Sequence, residues 1–289
     1  MKIYAIIVTY NGMRWIDRTL SSLRESTVPI VPFIVDNHST DQTVAHIQQH
    51  YPETILVPQD TNLGFGQANN LGMKYALEHE ADYVLLLNQD ASIESETIQQ
   101  LLDESDGKSL LTPIHMNGSG EKIDFQFSRS LHDSANGLFD DYVRGLVRKS
   151  YPITMFCAAC WFLPANVVEK VGGFNPMFFH YGEDNNYYNR LAFHGIRSYV
   201  VPRARMYHDR ENLGNVGMFN RKKMRREMLV AMTNQNLTTK QKLFQLYRVW
   251  GRAKSRVGAF LASLLWLLGQ IGNIKKSNKI EREERRAWL

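Results

Sequence analysis

The chain has 289 residues, 44% of them hydrophobic and 22% charged, which excludes a disordered or fibrous protein and fits one large domain or two small ones. Two cysteines cannot build a disulfide framework, and no secretory leader pattern opens the sequence, so a reducing cytoplasmic setting is expected. The net charge of +5 conceals a division, with residues 1–202 balancing at −9 and residues 203–289 at +14. An acidic body with a basic tail suits a tail that meets anionic lipid or an acidic partner; no zinc-finger, RRM or KH signature accompanies the charge, so nucleic acid is not the expected partner.

Strand and helix patterns alternate through the first hundred residues. Residues 3–8 (IYAIIV) form a continuous apolar run, the mark of a strand buried on both faces. Helical spacing follows over 14–23, then a second apolar run at 31–35, and a helix capped by Ser39 or Thr40 that runs through Gln49. A third strand is expected at 54–57, a helix at 67–79 and a fourth strand at 83–87 (YVLLL). Such alternation predicts a parallel sheet with right-handed crossovers and a ligand crevice at the carboxyl ends of the strands.

Further on, a turn at 118–120 separates two expected strands, 110–115 and 122–127, and residues 140–149 lack a period and read as a loop. The apolar run 154–163 (TMFCAACWFL), a short helix at 167–171, an acid-led helix at 183–193, a last strand at 198–201 and a segment 204–210 complete the body. From Phe219 onward the pattern is helical.

The polar clusters after the strands carry the chemistry. Thr9, Tyr10, Asn11 and Gly12 follow the first; Asp36 to Asp41 the second; Asn62, Gly64, Gly66, Asn69 and Asn70 the third; Asn88, Gln89 and Asp90 the fourth. Any single loop is polar and glycine-rich for ordinary reasons; four in succession at strand ends point to a shared crevice. Asp90 is placed to hold a hard cation such as Mg²⁺ or Mn²⁺, or to form the turn before the next helix. Asp36 suits a base or ribose, or an Asx-turn. Gly64 and Gly66 permit close backbone approach to a ligand, but match neither the dinucleotide fingerprint nor a phosphate loop. Glu183 and Asp184 suit a general base with an orienting partner, or simply an acidic helix start. His208 matters only if the chain folds it back beside Asp90. Cys157 and Cys160 read as two buried structural thiols and not as a zinc site.

The set resembles glycosyltransferase family 2, the inverting enzymes of the GT-A fold. The resemblance rests on IIVTYN (6–11), VDNHSTD (35–41), NLGFGQANNLG (62–72), LLLNQD (85–90), VGGFNPMFF (171–179) and GEDNNYYNR (182–190), and covers about residues 1–210. Within the family it is similar to rhamnosyltransferase-like enzymes of bacterial surface polysaccharide synthesis. It implies an α/β, Rossmann-like, mostly parallel central sheet flanked by helices over 1–215; residues 216–289, outside the resemblance, read from their charge and helical pattern as a basic helical extension. It implies transfer of a sugar from a nucleotide-diphosphate sugar, dTDP-rhamnose or a UDP-sugar, to a saccharide or lipid-linked acceptor, with a divalent cation as cofactor.

By the same resemblance, Thr9, Tyr10, Asn11, Asp36 and Asn37 hold the nucleotide, and Asn62, Gly64 and Asn69 line the donor pocket. Asp90 and His208 hold the metal, Asp184 is the catalytic base beside Glu183, and Arg190 supports the acidic pair or the diphosphate. The chain departs from the family pattern at Asn88, where the metal motif has its first Asp, and at Asn186, where many relatives carry an acid. Acceptor recognition is expected from residues 156–162 and 130–150. Asn88 keeps a second class open, a catalytically silent scaffold; a nucleotidyltransferase is the third, although residues 9–12 lack the basic loop it needs.

Between residues 257 and 274 no residue is charged, and basic residues flank the run. Three readings are open: a membrane span, a helix lying on an anionic membrane surface, and a core or homodimer-contact helix.

Overall fold

The computed structural model describes residues 1–135, 137–210, 220–253 and 256–289. A single sheet runs through the body. Its parallel half consists of β1 (Ile3–Thr9), β2 (Val31–Asp36), β3 (Ile55–Pro58) and β4 (Tyr83–Asn88), in the order β3-β2-β1-β4. The crossovers are α1 (Ile16–Arg24), α2 (Thr43–His50) and α3 (Phe65–Glu78). The continuous apolar runs have a direct cause. Tyr4 and Ile6 face one side of β1 and join a core with α3, whereas Ile3, Ala5 and Ile7 face the other and join a core with α1. Each of these isoleucines, fully buried, contributes about 1.5–3 kcal/mol.

The sheet's second half is mixed. After β5 (Ala91–Ile93), α4 (Thr97–Asp103) and β6 (Leu110–Asn117), the chain forms α5 (Phe125–Ser134), α6 (Leu138–Val143) and the two-residue β7 (Tyr151–Pro152). Next come β8 (Cys160–Pro164), α7 (Ala165–Val171), α8 (Glu183–Phe193) and β9 (Ser198–His208). β8 runs antiparallel to both β4 and β6, and β9 runs parallel to β6. Two reversals restore the original direction, so the carboxyl ends of β6 and β9 reach the same edge as those of β1, β2 and β4.

Several sequence expectations change here. Residues 122–127 form no strand: Ile123 makes one bridge to Met116, and Asp124 then caps α5 by accepting from the amides of Gln126 and Phe127. The start of 140–149 is helical, tied down by Arg148 Nε, which lies 2.9 Å from Asp141 Oδ2. Only the end of the 154–163 run is strand. The last two segments are one strand, β9, whose pairing with β6 shifts register between Pro113 and Ile114.

Among the described residues after β9 there are four helices: α9 (Arg221–Thr233), α10 (Thr239–Arg252), α11 (Val257–Gly269) and α12 (Ile271–Glu283). Their buried faces, including Met224, Met228, Val249, Phe260 and Leu267, gather around Phe178 of the body. The C-terminal end then returns to the body, where Ala287 O accepts from Gly173 N at 2.8 Å and Arg286 pairs with Glu169 at 2.9 Å. Gly172 has a φ of +84°, and a Cβ there would collide with the backbone of Ala287.

Candidate active site

The strand ends deliver their polar residues to one edge, and a network of short bonds fixes them there. Thr9 Oγ1 donates to Asp36 Oδ1 at 2.8 Å, and Ser39 adds its amide at 2.9 Å and its hydroxyl at 2.6 Å to the same carboxylate. Asp36 is therefore buried and held by three donors, the Asx-turn geometry. Asn11, with a φ of 49°, accepts from Thr40 N at 2.8 Å; Tyr10 stays exposed, its amide bonded to Gln89 Oε1 at 2.8 Å. Asn37 Oδ1 accepts from Leu63 N at 2.8 Å, which joins the second and third loops.

The third loop answers to the protein more than to a ligand. A Cβ on Gly64, whose φ is +79°, would strike the carbonyl of Phe179, and one on Gly66 would come within 2.9 Å of Phe174 Cβ. The glycine pair admits the 174–179 segment, which corrects the expectation that it admits a ligand. Asn62 caps the turn at Gly64 N (2.9 Å), Asn69 bonds back to Phe65 O (2.9 Å), and Asn70 clamps Phe174 through both its amide atoms.

At the fourth strand end the sequence condition on His208 is met. His208 stands opposite Ala91 in the β5–β9 register, and its Nε2 lies 3.2 Å from Asp90 Oδ1. Asn88 Nδ2 lies 3.4 Å from the same nitrogen, while Asn88 Oδ1 is buried with no hydrogen-bond partner. The Asp90 carboxylate and the His208 imidazole form an O/N donor pair that suits Mg²⁺ or Mn²⁺. The unpartnered Asn88 oxygen leaves a buried acceptor unsatisfied beside this strand end.

α8 supplies the second acidic constellation. Gly182, with a φ of 97°, starts the helix, and Arg226 of α9 crosses close beside it. Burial lifts the Glu183 carboxyl to about 7, reinforced by the neighbouring Asp184 charge. Burial also lifts Asp184, opposed by the amide of Asn185 and by Arg226. Asn185, the residue after Asp184, places its Nδ2 3.9 Å from the sulfur of Met155, two residues before Cys157. The Cys157 sulfur, His115 and His208 place ligand atoms within 4.8 Å of one another. Asp90, His208 and Cys157 thus border one region, and the start of α8 approaches it beside Met155.

Residues that the sequence did not single out fill this region. Arg210 Nη2 donates to Cys157 Sγ at 3.0 Å, its Nε donates to His208 Nδ1 at 3.1 Å, and it pairs with Asp124 at 3.1 Å. Cys157 is half-buried and engaged, unlike the fully buried Cys160, so the two thiols are not equivalent. The group of His115, Cys157 and His208 is a softer donor set, but the Arg210 guanidinium already lies against two of its members. Phe156, Trp161 and Phe162, expected near an acceptor, are core residues; Met155, Phe179 and Tyr181 are the exposed apolar side chains beside α8. Arg190 is also corrected. It is fully buried, bonds to the carbonyls of Val171 and Gly173, and pairs with the buried Glu281 at 3.6 Å, so it braces α8 against α12.

The family model of Glycosyl transferase family 2 matches residues 4–172, more than half of the chain. The chain belongs to glycosyl transferase family 2. It is similar to the N-acetylglucosaminyl-diphospho-decaprenol L-rhamnosyltransferase of Mycobacterium tuberculosis, at 26% identity over 230 residues, 70% of this chain and 74% of that protein. It is similar to the dTDP-rhamnosyl transferase RfbF of Shigella flexneri at 24% identity, covering 71% of this chain and 68% of that one. The structure of Staphylococcus aureus TarS 1–349 in complex with UDP superposes with a TM-score of 0.61 at 18% identity, covering 88% of this chain and 72% of that chain. The architecture is accordingly the GT-A fold. The chain is an inverting, nucleotide-sugar-dependent glycosyltransferase. Enzymes of family 2 generally depend on a divalent cation, and the Asp90 carboxylate beside the His208 imidazole fits one.

Proposed function

We propose that this family 2 enzyme transfers rhamnose from dTDP-rhamnose to a lipid-linked saccharide, with inversion at the anomeric carbon. The rhamnosyl donor is supported by the two rhamnosyltransferases above, and the lipid-linked acceptor by the decaprenol-linked substrate in the name of the first. One observation supports the assignment of roles: His208 and Asp90 meet at 3.2 Å, His208 adjoins Cys157, and the start of α8 reaches the same segment through the Asn185–Met155 contact at 3.9 Å.

In this reading Asp184 takes the proton from the acceptor hydroxyl as that oxygen attacks the anomeric carbon from the face opposite the diphosphate. Its raised pKa makes it a better base than an ordinary Asp. Glu183, lifted by burial to about 7, carries only part of a negative charge near neutral pH, which limits the repulsion of the departing diphosphate. Thr9, Tyr10, Asn11, Asp36 and Asn37 border the nucleotide, with Asn62 and Gly64 shaping the loop beyond it. Asp90 and His208 would hold a divalent cation, which when bound offsets the charge that develops on the leaving group. Residues 1–215 would form the catalytic unit and 216–289 its attachment to the acceptor's surroundings.

The test is release of nucleoside diphosphate from dTDP-rhamnose and from UDP-sugars, with Mn²⁺ and with chelator. Preferential dTDP release from dTDP-rhamnose supports the assignment. Turnover of UDP-sugars alone would overturn the donor, and pyrophosphate release would overturn the reaction class.

A further inference from the structure

We infer that α11, with the basic stretch around it, is a docking surface for an anionic lipid bilayer. Val257, Leu261, Leu265 and Leu268 recur at helical spacing and are 47–70% exposed. Gly258 and Ala262, the residues between them on that side, add no charge, so this face of α11 is apolar throughout. The opposite face, Phe260, Ser263 and Leu267, is already buried in the C-terminal cluster. α10 packs beside it through the Trp250–Phe260 ring contact at 4.8 Å and turns out Leu243, Phe244 and Tyr247, each 59–66% exposed.

Charge selects the occupant. The sequence from residue 239 to 279 carries nine Lys or Arg and no Asp or Glu. Lys240, Arg248, Lys275 and Lys276 lie on the surface. A second copy of the chain would bring like charges together over this face, whereas acidic headgroups complement them and acyl chains accept the leucines. Spanning is excluded for α11 as it stands. Its 13 residues reach about 20 Å, short of the roughly 30 Å hydrocarbon core. α12 bends away by 57° and carries Glu281, buried in the pair with Arg190. The helix therefore lies in the interface plane.

Docking does not depend on which sugar is transferred, and it is read without donor or acceptor. The full chain would be sedimented with vesicles of phosphatidylcholine alone and of equimolar phosphatidylcholine and phosphatidylglycerol, at low and high salt. Binding to the anionic vesicles at low salt is expected, reduced by salt. Leu261→Asp with Leu265→Asp should weaken it by about tenfold or more, and Lys275→Glu with Lys276→Glu should remove its preference for phosphatidylglycerol. Both variants should melt as the wild type does and retain donor hydrolysis. Failure of the wild type to bind, or unchanged binding by the leucine variant, would overturn the inference. So would a dimer that the leucine variant dissociates, because the second copy would then be the occupant.

Discussion

His208 Nε2 lies 3.2 Å from Asp90 Oδ1 because β9 pairs antiparallel with β5, so that His208 stands opposite Ala91, the residue after Asp90. The Asn88 amide nitrogen lies alongside, 3.4 Å from the same imidazole nitrogen. Asp90→Asn and His208→Ala should each lower the rate of sugar transfer by about a hundredfold or more, the scale of losing one electrostatic contact to a leaving group. Asn88→Asp restores a charge that the chain lacks and should tighten Mn²⁺ binding. Titration of the metal against donor turnover separates these outcomes; unchanged metal dependence in all three variants would remove the site from the mechanism.

Asp184→Asn should lower kcat by about 10²–10⁴, the usual scale for a positioned base, and leave donor affinity by calorimetry intact. The base must be ionised to act. Since burial raises its pKa, activity should fall on the acid side at a higher pH than an ordinary Asp, near 4, would give. An active Asp184→Asn enzyme would transfer the role elsewhere.

Glu183 links pH to stability with a definite sign. Its carboxyl ionises at about 7 in the folded chain against an ordinary 4.5, so the folded state holds the extra proton between these values. Stability is therefore lost as pH rises from about 4.5 to 7, by up to about 3 kcal/mol. Glu183→Gln removes that loss, and its melting temperature should exceed the wild type's at pH 8 by more than it does at pH 5. Thermal melts across that range check it.

Arg190→Met should unfold the protein more easily, by about 3–5 kcal/mol, because it strands the buried Glu281 carboxylate. Donor KM in the folded fraction should stay near the wild-type value. A selective rise in KM would return Arg190 to the donor pocket.

The parallel half of the sheet was legible because its strands are buried on both faces, and two-sided burial writes an unbroken apolar run such as IYAIIV. The acid-led start of α8 and the loop polarity at the strand ends were legible for an equally local reason, since helix dipoles and turns select residue types within a few positions. Residues 122–127 misled because alternating polarity resembles a strand, whereas the Asp124 cap commits the chain to α5.

Sequence alone thus determined the α/β class, the strand ends at which polar residues gather, and the candidate acids Asp90 and Asp184. Tertiary structure decided which residues meet: His208 with Asp90, Arg210 with Cys157, Arg190 with Glu281, and Gly64 with Phe179. Each of these pairs joins residues remote in the chain, and its energy comes from burial and charge that exist only after the sheet has closed; local propensity carries no record of such a partner.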